Sequence, residues 1–210
     1  MIREELKNYI EKTILKIYDN NIGGHGREHI ETVINRSFEL KKEFNLNLDD
    51  EKIYVIAAYH DIGYKENPDE HEQVSGEIFL KDETMKKFFN EEERKIIAEA
   101  IVDHRASLEY EPRSEYGKLV SSADREVSVE NMLKRSINFQ RDKHKKENPT
   151  DLEVIEYSYK KLSSKYGKGG YAKMYYPDKK YKDYLKKMQE LIENKELFVK
   201  RELEIIKRSW

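Results

Sequence analysis

Two adjacent residues, His60 and Asp61, are the sharpest chemical feature of this 210-residue sequence. They stand in Ile56-Ala57-Ala58-Tyr59-His60-Asp61-Ile62-Gly63, where an apolar helical stretch ends in an imidazole and a carboxylate and a glycine follows at once. Such a stretch should be buried, and a buried ionised Asp is costly unless it meets a cation. A divalent metal would hold the two groups together there. A helix end at which His60 caps carbonyls and Asp61 faces water accounts for the same residues equally well. The doublet alone leaves both readings open.

One helix end cannot surround an ion, so further ligands must come from elsewhere. His29 is a candidate, at the start of a helix in Gly24-His25-Gly26-Arg27-Glu28-His29-Ile30. Asp124 is another, in the apolar helical stretch Leu119-Val120-Ser121-Ser122-Ala123-Asp124-Arg125, although pairing with Arg125 or Lys118 would explain it as well. The six histidines are His25, His29, His60, His71, His104 and His144. His25 precedes His29 by four residues, so the two share a face if the helix begins early; it would then touch phosphate or cap the helix. His144, in Arg141-Asp142-Lys143-His144-Lys145-Lys146, reads as solvated surface. There is no cysteine. Disulfides, thiolate zinc sites, iron–sulfur clusters and a cysteine nucleophile are therefore excluded, and any metal must have nitrogen and oxygen ligands.

The order His29, His60-Asp61, Asp124 on successive helices resembles the HD-domain superfamily of metal-dependent phosphohydrolases. Gly26-Arg27-Glu28-His29-Ile30-Glu31-Thr32-Val33 is similar to its first motif, Ala57-Ala58-Tyr59-His60-Asp61-Ile62-Gly63 to its defining one, and Ser122-Ala123-Asp124-Arg125 to its closing aspartate motif. The resemblance covers about residues 20–135 and is that of a small, stand-alone, bacterial-type member. It implies that His29, His60, Asp61 and Asp124 ligate one divalent ion. Imidazole and carboxylate ligands suit Mn, Fe, Co, Ni or Zn better than Ca or Mg. His71 and His104 stand where relatives place extra histidines. The preferred reading has them lining the pocket of a single ion; a second metal is the alternative.

The chemistry so implied is hydrolysis of a phosphate ester or anhydride by metal-activated water. Asp61 would orient the water, His71 or His104 would protonate the leaving oxygen, and Arg27, Arg105, Lys118 or Arg125 would offset developing charge. Arg27 is the first choice among these cations for both substrate binding and catalysis. His25, Lys118 and Arg125 are the other expected substrate contacts. Family hydrolases of guanosine tetraphosphate carry a Glu-Asp pair after the doublet, where this chain has Ile62-Gly63-Tyr64-Lys65-Glu66, which puts that activity in doubt. The extra motif of the cyclic-dinucleotide phosphodiesterases is also missing. Small members commonly act on nucleotides, so the resemblance implies a nucleotide phosphatase, pyrophosphatase or phosphodiesterase. Two competing readings are a di-iron oxygenase on the same scaffold, with His71 and His104 on a second iron, and a non-catalytic sensor that binds a nucleotide.

The elements that must position these residues are helical. Apolar residues recur at spacings of three and four: Leu6, Ile10, Ile14 and Ile17; Ile30, Val33, Ile34 and Phe38; Ile53, Ile56 and Ala57; Ile97, Ala100 and Ile101, with His104 on the same face; Leu119, Val120, Ala123 and Val127; Leu185, Met188, Leu191 and Ile192; then Leu197 to Ile206. No run alternates as a strand would. The fold class is therefore all-α: an HD-domain helical bundle with a C-terminal helical extension. Breaks fall at Asn21–Gly26, Asn47–Asp50, Gly63–Pro68, Pro112–Ser114, Asn148–Asp151 and Lys165–Asp178. Residues 1–139 are expected to form the phosphohydrolase core and 140–210 an extension packing on it.

Net charge is −2 overall, −9 over residues 1–139 and +7 over 140–210. This argues against a dedicated nucleic-acid binder. The basic part reads as a lysine-rich surface, or as an attractor for an anionic substrate or a second copy of the chain, which admits a homodimer. Lys165-Tyr166-Gly167-Lys168-Gly169-Gly170 lacks the ending of a nucleotide P-loop. It reads as a connector, or as a lid using Tyr171 or Lys173. The start, Met1-Ile-Arg-Glu-Glu-Leu, lacks the apolar core of a signal peptide, and no run approaches a membrane span. A cytoplasmic protein without membrane partners is the expectation.

Overall fold

The computed structural model describes residues 1–20 and 25–208. Of the expected loop Asn21–Gly26, the part from Asn21 to Gly24 lies outside the described residues, as does Trp210. The protein is all-α, with no strand among the described residues. No described helix is long and apolar enough to cross a membrane.

The chain divides into two compact units. One comprises Met1–Arg125 with Met174–Tyr176, the other Glu126–Lys173 with Pro177–Trp210. The division thus falls at Arg125/Glu126. The boundary expected at 139/140 lies inside a helix, Val129–Lys143, whose buried Met132, Leu133, Ser136, Ile137 and Gln140 face later helices.

The first unit opens with α1 (Glu4–Tyr9), a π turn (Ile10–Ile14), α2 (Leu15–Ile17) and a 3-10 turn (Tyr18–Asn20). Leu6, Ile10 and Ile14 are buried as their spacing predicts, but Ile17 is exposed and Leu15 and Tyr18 are buried instead. The wider π turn carries residues four apart on one face, so the stripe runs on to Tyr18 rather than stepping back to Ile17. Then follow α3 (Arg27–Glu43), α4 (Asp50–Tyr59), α5 (His71–Lys81), α6 (Glu91–Val102) and α7 (Glu115–Ala123). α3 packs on α4 and α7, α4 also on α6 and α7, and α6 on α5 and α7. Val127 lies beyond the end of α7 and does not continue its stripe.

Polar caps set the helix starts. Asp49 accepts the Lys52 N–H at 3.0 Å to begin α4, and Ser114 Oγ accepts the Gly117 N–H at 3.3 Å to begin α7. Asn90 and Glu93 close a reciprocal capping box on α6. Each such cap contributes about 1 kcal/mol. α4 is buried on every side from Ile53 to Tyr59. Its end therefore delivers His60 and Asp61 into the interior, not to solvent.

The second unit holds α8 (Val129–Lys143), α9 (Asp151–Tyr166), α10 (Lys179–Glu193) and α11 (Lys195–Arg208), each packed on the other three. Thr150 and Glu153 box the start of α9, and Asp178 caps α10. In α11 it is Phe198, not the exposed Leu197, that faces inward with Ile205 and Ile206. Between α9 and α10 the chain first folds back on α9, with Tyr171 N–H donating to Ser164 and Ala172 N–H to Lys165. Met174–Tyr176 then belongs to the first unit, where the N–H groups of Tyr175 and Tyr176 both donate to Ser122 Oγ at 3.2 Å.

Candidate metal centre

The end of α4 is the organising point. Beyond Tyr59 the chain turns tightly, with Ile62 N–H donating to Tyr59 and Tyr64 N–H to Asp61. This turn presses against α5: Gly63 N–H donates to Ser75 Oγ at 2.9 Å. A Cβ at Gly63 would stand 2.7 Å from Val74 Cβ and 2.8 Å from Ser75 N, so only glycine fits there without displacement. His60 is fully buried and Asp61 is 2% exposed.

Around Asp61 the fold gathers five histidines and a second carboxylate. Asp61 Oδ2 lies 2.7 Å from His25 Nδ1, 3.5 Å from His29 Nε2 and 3.3 Å from His60 Nε2. Asp61 Oδ1 faces the other way, 3.4 Å from His71 Nε2 and 3.6 Å from His104 Nε2. Asp124, at the end of α7, places Oδ1 at 3.1 Å from His29 Nε2 and 3.8 Å from His60 Nε2. Three groups of donor atoms are close enough to hold an ion: His25, His29 and Asp61; His29, His60 and Asp124; Asp61, His71 and His104.

Backbone carbonyls decide which ring nitrogen each histidine offers. His60 Nδ1 is 2.8 Å from the Ala57 carbonyl, His71 Nδ1 is 3.0 Å from Pro68 and His104 Nδ1 is 2.6 Å from Ile101. A carbonyl only accepts, so each Nδ1 carries a proton, and in the neutral ring each Nε2 presents a lone pair to the centre. The Nε2 atoms of His29 and His60 are buried and face the carboxylate oxygens of Asp61 and Asp124. The Nε2 atoms of His71 and His104 face each other at 3.3 Å, an arrangement that repels unless a proton or a metal cation lies between them. Buried imidazole nitrogens converging with ionised carboxylates fit a transition-metal site, with the pinned Nδ1–H groups of His60, His71 and His104 as the orienting shell.

The electrostatics show these carboxylates drawing positive charge to the centre. Burial alone would raise the Asp61 carboxyl, but the charge of His60 and the neighbouring His104, His25 and His29 hold it well below the usual range. Asp124 is likewise depressed against its burial, through His29 and then His60. Burial opposes protonation of His29, yet the facing carboxylates of Asp124 and Asp61 push it up to about 9. Burial, then the charge of His104, pulls His71 down. His104 rises despite burial because of Asp61.

Other sequence candidates stand differently. Arg125 is buried behind Asp124, donating to Ser121 Oγ at 2.7 Å with Nη1 at 3.6 Å from Asp124 Oδ2. Arg27 pairs with Glu31 at 2.8 Å and Asp19 at 3.4 Å. Lys118 pairs with Glu111 at 2.8 Å and Glu115 at 3.0 Å. Arg105 ties the loops flanking His71 and His104 together, donating to the Asp69 carbonyl at 2.5 Å and to Glu72 at 2.7 Å. Arg27 and Lys118 are thus engaged with acidic neighbours and are not among the groups drawn around Asp61. His144 stacks on Tyr157 in the other unit, at 4.0 Å between ring centroids. Sequence reasoning passed over Tyr64, whose ring lies flat on His25; its place directly after Gly63 was the available signal.

A family model described as the HD domain matches residues 26–127. Through these residues the chain belongs to the HD-domain superfamily. Most members of this superfamily are metal-dependent hydrolases. The HD domain's matched span contains His29, His60, Asp61, His71, His104 and Asp124 and begins one residue after His25. No curated protein and no solved structure matched the chain.

Proposed function

We propose that this protein is a metal-dependent phosphohydrolase that cleaves a phosphate ester or anhydride of a small substrate, with a nucleotide as the expected class. The observation that carries the reading is the convergence of buried imidazole nitrogens and two ionised carboxylates on one point of an HD domain. His29, His60, Asp61 and Asp124 would hold a divalent ion such as Mn, Fe, Co, Ni or Zn. A bound ion of this kind supplies a polarised phosphate and a water acidified towards neutral pH.

The chain's own groups have distinct tasks. Asp61 orients the attacking water. His71 and His104, close enough to share one proton, supply it to the leaving oxygen. Arg125 holds the carboxylate of Asp124 in place from behind. His25, the most exposed of the five clustered histidines at 19% of its side chain, is the one best sited to meet a phosphate. Arg27 and Lys118 remain substrate contacts only if phosphate recruits them from their ion pairs.

Asp61 also supports a two-ion variant of the reading. Its Oδ2 faces His29 and His60 while its Oδ1 faces His71 and His104, so Asp61, His71 and His104 would hold the second ion. Two irons per chain with oxygen consumption would instead mark a di-iron oxygenase.

The test uses the purified full chain. Metal content is measured, and turnover is screened with Mn, Co and Ni against nucleoside mono-, di- and triphosphates and a generic phosphodiester. Asp61→Ala and His60→Ala should each lower turnover by a factor on the order of a hundred or more while leaving the helical circular dichroism unchanged. Activity that survives both a chelator and Asp61→Ala would sink the proposal.

A further inference from the structure

His25 differs from its neighbours in how it is held. His60, His71 and His104 each spend Nδ1 on the carbonyl three residues earlier. His25 stands before α3, outside any helix, and points its Nδ1 at Asp61 Oδ2, 2.7 Å away. Its ring lies face to face on Tyr64, with centroids 3.7 Å apart and planes inclined by 19°. Tyr64 also meets His71 edge-on, at 5.6 Å and 65°.

The position of Tyr64 follows from the doublet itself. Its N–H donates to the Asp61 carbonyl at 3.0 Å, closing the turn Asp61–Tyr64. Gly63 seats that turn on α5 with no room to shift. The same turn therefore aims the Asp61 carboxylate and the Tyr64 ring, and the two together receive His25 from a different part of the chain.

We infer that Tyr64 is a positioning residue: by ring stacking it holds the His25 imidazole in register with Asp61. Face-to-face contact uses the ring and not the hydroxyl, so phenylalanine should serve in its place. The consequence for metal binding rests on the phosphohydrolase reading; the hold on His25 does not.

Two measurements separate these. In the first, Co(II) alone is titrated by visible absorption into the wild type, Tyr64→Phe, Tyr64→Ala, His25→Ala and the double variant Tyr64→Ala/His25→Ala. Tyr64→Ala should weaken binding about tenfold, the scale on which residues that orient ligands act. Tyr64→Phe should stay within about twofold of the wild type, since the ring contact is kept. In the His25→Ala background, removing Tyr64 should cost nothing more. A Tyr64→Ala loss that is undiminished without His25, or a Tyr64→Phe as weak as Tyr64→Ala, overturns the inference.

The second measurement needs no metal. The side-chain nitrogen resonances of His25 are assigned by their disappearance in His25→Ala. They should shift in Tyr64→Ala and hold in Tyr64→Phe. His25 resonances indifferent to Tyr64→Ala overturn the inference. A wild type that takes up no Co(II) while His25 still responds to Tyr64 sinks the metal reading and leaves the positioning role standing.

Discussion

At the scale of single residues, what sets this protein apart is where it tolerates buried charge. Asp61 is nearly inaccessible, yet its neighbours keep it ionised. Glu202 is a contrasting case. It is fully buried in the second unit, accepts one hydrogen bond from Ser158 Oγ at 2.6 Å, and leaves its other oxygen without a partner. Ser158 in turn reaches Ser136 Oγ at 2.7 Å. Burial raises the Glu202 carboxyl from its ordinary 4.5 to about 8, only partly offset by Ser158. The folded state therefore holds this proton more tightly than the unfolded chain. Its contribution is complete below about pH 4.5 and declines as pH rises, until it levels off near pH 8. Glu202→Gln should remove that decline and raise stability at pH 8 by on the order of a few kcal/mol. Denaturant melts of both proteins at pH 5 and pH 8 would show it; parallel pH dependences would refute it.

At the scale of elements, α4 and the turn after it govern the site. A helix buried on all sides has nowhere to place polar residues except at its ends, and this one ends in His60-Asp61. The turn is then locked against α5 through Gly63. Inserting a methyl there, 2.7 Å from Val74 Cβ, should destabilise the fold by about 1–3 kcal/mol, as overpacking does, and lower Tm by several degrees. It should also weaken metal binding, since Asp61 and Tyr64 ride on the same turn. Calorimetry of Gly63→Ala tests this, and a Tm equal to that of the wild type would show that the turn is not locked.

For the whole molecule, the two carboxylates and the clustered imidazoles of the first unit offer ligand atoms that a divalent cation would take up. Binding to the folded state alone raises stability by about 2.7 kcal/mol when free ligand is a hundredfold above Kd. Added Mn, Co or Zn should therefore raise Tm in a concentration-dependent manner, chelator should reverse the rise, and Asp61→Ala should abolish it. A melting temperature insensitive to these ions in the wild type would count against a metal centre. The charge balance, −9 in residues 1–139 and +7 in 140–210, has no bearing on that test, because ligand atoms and not net charge would hold the ion.

The amino-acid sequence by itself determined the fold class, the helix starts within Asn47–Asp50, Pro112–Ser114 and Asn148–Asp151, and the set His29, His60, Asp61 and Asp124 as one family pattern. These are local properties: periodicity, capping chemistry and residue order are written along the chain. Tertiary structure alone decided that Tyr18 replaces Ile17 in the core, because a π turn changes the phase of a stripe. It likewise decided that Arg27 and Lys118 are taken up by acidic partners while Arg125 is buried behind Asp124. Only packing could bring Asp61 Oδ1 towards His71 and His104 while Oδ2 meets His25, His29 and His60. Which side chains meet across distant segments depends on how helices stack, and no spacing within a single segment encodes that.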